Sequence, residues 1–184
     1  CPVEDMPRLT PRICGVCPTS HAVAAAMALD AALGAVVPTN GRILRNLILG
    51  ADHVMSHILY LYHLAALDYI NTTGILDLSP WTPRYVTPDM VTGQIAADLV
   101  GHYVQALAIR RKCHQMGAIF AGKMPCTPVI VAGGVTETVT AQKIADFRAL
   151  LTETRAFIDN ILIPDTLAVA GAFPQTLKLA EGVE

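Results

Sequence analysis

The 184 residues are 53% hydrophobic and only 15% charged, with a net charge of −2. Soluble domains carry about 25% charged residues, so this composition predicts a chain that is largely covered by lipid or by protein partners. The longest apolar runs, 22–37 and 58–70, are interrupted by charged or polar residues, which excludes the roughly 18 uninterrupted apolar residues of a membrane span. Without a basic stripe, nucleic acid is excluded as a main partner. We therefore expect buried helices with large protein interfaces, and no transmembrane segment in this chain.

The first elements are predicted from proline and glycine signals and from apolar spacing. Three prolines before Cys17 indicate irregular backbone there. Pro18 is a favoured first residue of a helix and Gly34 a favoured stop, which predicts a helix over 18–33. Apolar residues then recur at steps of three and four and predict a second helix over 40–69.

The second half of the chain is predicted in the same way. The segment 71–87 is rich in proline and glycine and reads as a loop. Thr87-Pro88-Asp89 predicts the start of a third helix over 88–120. A short β or loop segment is expected near 123–136, and a fourth helix over 141–161 with Pro164 beyond its end. The last twenty residues carry weak signals.

The predicted fold class follows from these elements. It is mostly α, a large helical bundle with a short β or loop segment, and 1–184 reads as a single helical unit. The chain opens on Cys1 with no initiator methionine and no signal-peptide pattern, so we expect it to be part of a longer protein.

One segment carries most of the chemical information: Pro11-Arg12-Ile13-Cys14-Gly15-Val16-Cys17-Pro18-Thr19-Ser20-His21. Thiols three positions apart can face one centre, and a glycine between them relaxes the backbone. Cys17 stands immediately before the predicted helix, where the positive end of the helix dipole lowers the pKa of a thiol and favours metal binding. His21, one turn later, can donate a hydrogen bond towards the Cys17 sulfur, and Arg12 supplies positive charge. These residues predict a soft-metal or redox site where a loop meets a helix.

Other kinds of protein also carry a Cys-x-x-Cys pair. A non-enzymatic helical protein could hold structural zinc with Cys14, Cys17 and His21, and would need a fourth ligand. A dithiol redox protein would place the pair in a βαβ context, whereas here proline-broken chain precedes it and a helix follows. Two unremarkable cysteines are the third alternative. The residues considered so far leave these alternatives open.

The residues around the pair resemble the first cysteine motif of [NiFe]-hydrogenase large subunits, Arg-Ile-Cys-Gly-Val-Cys-x-x-x-His followed by an Ala-rich helix. The resemblance continues in the same order through Pro38-Thr39-Asn40, the stretch 59–68, Gly122-Lys123-Met124-Pro125 and Gly133-Gly134-Val135-Thr136. It covers roughly residues 5–160. On this resemblance the chain is a portion of the large, catalytic subunit, with N- and C-terminal parts missing.

The resemblance implies a ligand set and an activity. Cys14 would be a terminal nickel ligand and Cys17 a thiolate bridging nickel and iron, and the iron would also carry carbonyl and cyanide ligands. The expected reaction is heterolytic, reversible cleavage of H2 to protons and electrons, in the direction of H2 uptake. Val16 and Leu64 match positions that line the gas route in this family, with core packing as the alternative role for Leu64.

The same resemblance implies partners and a location. Electrons would leave through iron–sulfur clusters in a separate small subunit, and the remaining portion of the large subunit would complete the site. The motifs are closer to respiratory, membrane-linked uptake enzymes, so a membrane-associated location, on the periplasmic or cytoplasmic face, is favoured over a freely cytoplasmic one.

The sequence departs from the family pattern in several places. The second cysteine pair is absent, because Cys113 and Cys126 are far apart, and so is the N-terminal region with its proton-transferring glutamate. Cys126 replaces a histidine found in many relatives, and Ser56 replaces an acidic residue found in some. A relative that has lost its metals is a further alternative, against which the presence of both Cys14 and Cys17 argues.

Overall fold

The computed structural model describes residues 2–79 and 82–175 of the chain. The predicted mostly α fold class is confirmed, and the short β segment lies within the predicted range. The helices are α1 (Met6–Leu9), α2 (Pro18–Leu33), α3 (Thr39–Ile58), α4 (Ala66–Tyr69), α5 (Gly93–Ala121), α6 (Ala141–Phe157) and α7 (Ile163–Ala172), and the strands are β1 (Ile130–Val131) and β2 (Gly134–Val135). Among the described residues, no helix combines the length and apolar character that crossing a bilayer requires.

Contacts group the chain into two compact units. Unit 1 comprises Cys1–His57 and Ile109–Thr154, and unit 2 comprises Ile58–Ala108 and Arg155–Glu184. The expectation that 1–184 acts as one helical unit of a larger subunit stays a prediction.

The prediction of irregular backbone before the cysteine pair is confirmed for residues 13–17 but wrong for residues 3–12, which form short helical turns. Short 3₁₀ turns at Val3–Asp5 and Thr10–Arg12 flank α1. Pro7 and Pro11 lie in the first turns of their elements, where a missing backbone N–H costs no helical hydrogen bond. Both prolines are buried, so they also pack the segment against the rest of unit 1.

Helix α2 has the predicted bounds. Pro18 is its first residue, and Gly34 ends it in the left-handed conformation, with φ 63°. The Ala35 amide bonds back to the Asp30 carbonyl at 2.8 Å, which satisfies a carbonyl that the helix end would leave unpaired. One face of α2 enters the core of unit 1, whose members come from α2, α3, α5, α6 and the hairpin: Ala22, Ala26, Leu44, Ile48, Ala51, Met116, Phe120, Ile130 and Phe147.

The second predicted helix, 40–69, is helical throughout but not α-helical throughout. After α3 the chain continues as a π-helix over Leu59–Ala65 before α4. Steps of three and four in apolar spacing do not distinguish the two helix types, because both place such residues on one side. In unit 2, the π-helical Tyr62 is fully buried and packs on Phe157, with ring centroids 6.0 Å apart.

The third helix begins five residues later than predicted, at Gly93 rather than residue 88. The helix starts late because Val91 is extended and pairs with the chain around Ile70. The Val91 amide donates to the Tyr69 carbonyl at 2.9 Å, and the Asn71 amide donates to the Val91 carbonyl at 2.8 Å. Thr87 to Met90 therefore forms a turn, closed by a 3.3 Å bond from the Met90 amide to the Thr87 carbonyl.

A two-residue turn joins β1 to β2, as the glycine pair predicts. Ile130 pairs with Val135 and Val131 with Gly134 in an antiparallel register, and Gly133 has φ 82°. Arg45 of α3 fastens this hairpin to unit 1 by donating to the carbonyls of Val131 at 2.6 Å and Gly134 at 3.1 Å.

The fourth predicted helix is wrong at its end. After α6 the chain continues as a π-helix over Ile158–Leu162 and then as α7. Pro164 lies in the first turn of α7 instead of beyond the helix, because the first turn does not need its N–H. The weakly signalled C-terminal residues 176–184 lie outside the described residues.

Candidate metal centre

The cysteine motif lies where a 3₁₀ turn gives way to α2. Cys17 is the residue that precedes the helix, with non-helical φ −118° and ψ 41°, and Pro18 then fixes the first helical position. The prediction that Cys17 stands immediately before a helix is confirmed. Helix α2 therefore sets the position of Cys17, while Cys14 sits in the loop before it.

Three predicted site residues come together here. One ligand atom from each of Cys14, Cys17 and His21 lies within 4.8 Å of the others, and all three side chains are half-buried. The Cys14 sulfur also accepts backbone hydrogen bonds from Val16 at 3.4 Å and Cys17 at 3.3 Å. The backbone amides of Val16 and Cys17, immediately before α2, thus both donate to the Cys14 sulfur.

Of the two thiols, Cys14 loses its proton more easily than Cys17. Its pKa is lowered, first by the hydrogen bond from the Cys17 thiol and then by the Cys17 and Val16 amides. The pKa of Cys17 is raised, first because its thiol is hydrogen-bonded to Cys14 and then by burial. The prediction that the pKa of Cys17 is lowered is wrong, because the hydrogen bond of its thiol to Cys14 and its burial outweigh the lowering by its backbone amide.

The other predicted site residues, Arg12, Val16 and Leu64, are not part of the Cys14, Cys17 and His21 cluster. Arg12 is exposed at the end of its 3₁₀ turn, and 44% of the Val16 side chain is exposed. The His21 carbonyl accepts a 3.1 Å bond from the Thr10 hydroxyl, which ties α2 to the turn before the motif. A hydrogen bond from the His21 ring to the Cys17 sulfur stays a prediction. Leu64 lies in unit 2 on the π-helical segment and is 56% exposed.

A distant segment supports the start of α2. The Thr19 hydroxyl, fully buried, lies 3.4 Å from the Pro125 carbonyl and 3.7 Å from the Met124 sulfur. The Cys126 sulfur lies 4.0 Å from the Pro11 carbonyl. The sequence indicated Met124 and Pro125 through the Gly122-Lys123-Met124-Pro125 motif, without showing that they pack beside the start of α2.

The donor set suits a soft or borderline metal. Two thiols and an imidazole bind nickel, iron or zinc far better than magnesium or calcium. A four-coordinate centre needs at least one more ligand, and a four-thiolate centre needs two. Of the remaining cysteines that the structure describes, Cys113 is fully buried with a pKa raised by burial to about 11, and Cys126 is outside the cluster.

Comparison with known proteins defines the class. The family model described as nickel-dependent hydrogenase matches residues 2–88 and 75–184, and the chain belongs to that family. This confirms the resemblance stated from the cysteine motif. It also leaves the zinc and dithiol alternatives without support from the family match.

Particular relatives sharpen the class. The chain is 46% identical over 170 residues to the periplasmic [NiFeSe] hydrogenase large subunit of Desulfomicrobium baculatum, covering 88% of this chain and 32% of that one. It is 29% identical to the Hydrogenase-1 large chain of Escherichia coli K12, covering 86% and 35%. The Ni-Fe-Se hydrogenase structure from D. vulgaris Hildenborough superposes with a TM-score of 0.88 at 39% identity, covering 94% and 36%. The chain thus spans about a third of the length of these relatives.

Proposed function

We propose that this chain is the catalytic-subunit portion of a [NiFe]-hydrogenase, which cleaves H2 heterolytically and reversibly to protons and electrons, with H2 uptake as its direction. The observation that carries the proposal is the cluster of Cys14, Cys17 and His21 at the start of α2, in a chain of the nickel-dependent hydrogenase family. A cysteine-bound Ni-Fe centre with CO and CN ligands on iron would supply the polarisation that splits H2 unevenly.

The chain's own residues have distinct parts in this function. Cys14 and Cys17 would hold the nickel and iron as thiolates, whose soft sulfur ligands stabilise these metals. The lowered pKa of Cys14 favours loading at neutral pH, because the thiolate is the form that binds metal. His21 orients a sulfur by hydrogen bonding, Arg12 offsets negative charge, and Val16 and Leu64 border the gas route.

The proposal includes partners for the exposed surfaces. The remaining portion of the large subunit provides the second cysteine pair, and a small subunit with iron–sulfur clusters takes up the electrons. Large apolar side chains stay exposed beside the motif, including Leu9 at 45% and Ile13 at 74%, which is expected of surface that another segment covers. A membrane-associated enzyme, on the periplasmic or cytoplasmic face, is the location we favour, and a periplasmic relative supports it.

Infrared spectroscopy of the natively purified full-length protein, with whatever copurifies, tests the proposal. Bands in the metal-carbonyl and metal-cyanide region, together with bound nickel, are expected. Cys14→Ser and Cys17→Ser should each abolish both signals, while Cys126→Ser, a half-buried thiol outside the cluster, should retain them. Bound zinc without these bands would contradict the proposal and favour a structural zinc site.

A further inference from the structure

Unit 2 contains two π-helical stretches, the first π segment, Leu59–Ala65, and the second π segment, Ile158–Leu162. In each case the amide that follows the segment donates to the carbonyl five residues earlier, which is the hydrogen bond of a π turn. π-Helices hold well under about 1% of the residues in proteins and lie frequently at functional sites. Because an α-helix is the usual alternative, the two segments indicate that contacts within unit 2 hold them.

One side chain of the first π segment contacts both ends of the second. Tyr62 is 0% exposed, and its ring packs on Phe157, the residue directly before the second π segment, with centroids 6.0 Å apart. The Tyr62 hydroxyl donates to Asp165 Oδ2 at 2.6 Å, in the first turn of α7, which directly follows that segment. Asp165 is only 8% exposed, so this hydrogen bond to a carboxylate lies almost out of solvent, where such bonds are strong.

The direction of the Tyr62 side chain depends on the π-helical hydrogen bonding. A π turn holds one residue more than an α turn, so a return to α-helix would rotate the residues after it by about 100° relative to those before it. Tyr62 faces the interior, whereas Leu64 of the same segment is 56% exposed. Since one backbone turn sets both directions, a change that separates Tyr62 from Asp165 also moves Leu64.

The carboxylate that binds Tyr62 is itself fixed in place. His102 Nδ1 of α5 lies 2.7 Å from the same Asp165 Oδ2. The position of Asp165 in the first turn of α7 also suits an acidic side chain, because the positive end of the helix dipole favours negative charge there. The first π segment, α5 and α7 thus meet at one oxygen atom.

We propose that Asp165 is a positioning residue for gas access, which acts by holding Tyr62 and with it the π turn that carries Leu64. This role rests on the proposed function, in which Leu64 borders the gas route. Asp165 acts through Tyr62 and the backbone of the first π segment and not on H2 itself. Loss of the bond therefore changes the delivery of gas and leaves the chemistry at the metals intact.

The experiment compares the full-length enzyme with three variants and a matched control. Tyr62→Phe removes the hydroxyl and keeps the ring that packs on Phe157. Asp165→Leu removes the acceptor at similar size, whereas Asp165→Asn keeps an oxygen that can accept the Tyr62 hydroxyl. Tyr60→Phe is the control, because it removes the same group from the same π segment at a side chain that is 66% exposed.

Three properties are measured well below the thermal midpoint of each variant. Metal-carbonyl and metal-cyanide bands report the metal centre, and deuterium exchange of the 59–65 amides reports the first π segment. The kcat, the KM for H2 and the rate of inhibition by CO report turnover and gas entry.

Tyr62→Phe and Asp165→Leu should behave alike. Exchange of the 59–65 amides should be about tenfold faster, as the loss of a hydrogen bond to a charged group predicts. The KM for H2 should rise several-fold and inhibition by CO should slow, while the bands and kcat at saturating H2 stay. Asp165→Asn and Tyr60→Phe should match the unaltered enzyme in all these measurements.

The outcomes separate a positioning role from a merely structural one. Faster exchange with an unaltered KM and CO rate would mean that the bond only stabilises the fold, and would overturn the proposal. Unaltered exchange in Tyr62→Phe, or an equal effect of Tyr60→Phe, would overturn it as well. If Asp165→Leu does not load metal, Tyr62→Phe decides the question, since it keeps the ring packing.

The outcomes also separate this role from the proposed function. If the unaltered enzyme lacks metal-ligand bands, the proposed function fails and the gas-access role with it. If the bands are present and Tyr62→Phe has unchanged gas kinetics, the positioning role alone is overturned.

Discussion

Replacing Asp30 with asparagine removes the anionic half of the ion pair that fastens the hairpin to α2 and α3. Arg45 Nη1 lies 2.6 Å from Asp30 Oδ2, and Arg45 Nη2 lies 3.3 Å from Asp30 Oδ1. The same Oδ1 accepts the Gly133 amide at 2.6 Å. The Arg45 and Asp30 side chains are only 6% and 12% exposed, so solvent screens the pair weakly.

The expected loss of stability follows from leaving Arg45 charged and buried. Breaking a buried pair by removing one partner costs about 3–5 kcal/mol. Because asparagine can still accept one of the three bonds, we expect a loss near the lower end, about 3 kcal/mol. Arg45→Lys should also destabilise the protein, since an ammonium group cannot reproduce the fork that reaches Asp30 and two carbonyls.

Equilibrium urea unfolding of the protein, followed by far-UV circular dichroism, measures the loss. Exchange of the Gly133 amide with deuterium should accelerate in the variant as well. Glu153→Gln is the matched control, because its partner Lys112 is partly exposed and Glu153 is half exposed, and such pairs contribute under about 1 kcal/mol. A cost for Asp30→Asn no larger than that of the control would refute the reasoning.

The same pair predicts a pH dependence. The hydrogen bond from Arg45, and secondarily the Gly133 amide, hold the pKa of Asp30 below its ordinary range. A carboxyl whose pKa is lower in the folded than in the unfolded state stabilises the fold above the unfolded value, about 3.9, and loses that contribution as the pH falls through the folded value. The unaltered protein should therefore lose stability below about pH 4 more steeply than Asp30→Asn.

Three further predictions concern other parts of the chain. In metal-free protein, iodoacetamide should modify Cys14 before Cys17 at neutral pH, as followed by peptide mass spectrometry, since the pKa of Cys14 is lowered and that of Cys17 raised; the reverse order would contradict this. Tyr62→Phe should lower the thermal midpoint, with a cost of about 1–3 kcal/mol, because it removes the 2.6 Å bond to Asp165; an unchanged midpoint would exclude that bond. Gly34→Ala should cost about 1 kcal/mol in urea unfolding because its φ of 63° strains any side chain, and no cost would argue against the left-handed end of α2.

Local signals in the sequence predicted much of the fold. Pro18 and Gly34 predicted both ends of α2, and the glycine pair predicted the hairpin. These predictions succeed because proline and glycine determine the backbone conformation at their own positions, independently of distant contacts. The π-helical turns were missed because their apolar spacing matches that of an α-helix. The late start of α5 was missed because it depends on backbone pairing between residues 69–71 and Val91, which are far apart in sequence.

For the candidate site too, features set by nearby residues were predicted and features set by tertiary contacts were not. The cluster of Cys14, Cys17 and His21 follows from spacing along one turn and was predicted. Which thiol ionises first was not predicted, since it depends first on which thiol donates a hydrogen bond to the other and then on which sulfur accepts the backbone amides. The full burial of Asp52 in α3 was not predicted either, because a single acid in an amphipathic helix usually faces solvent and only tertiary packing buries it.

The discontinuity of unit 1 has a consequence for synthesis on the ribosome. The bond between Asp30 and Gly133 joins residues 103 positions apart, and the segment Ile58–Ala108 of unit 2 emerges between them. At a synthesis rate of about 5–20 residues per second, the hairpin that packs on the apolar face of α3 is made roughly 5–20 s after that face. During that interval Leu44 and Ile48 are open to nonspecific contacts, so the nascent chain should depend on early chaperone binding at α3.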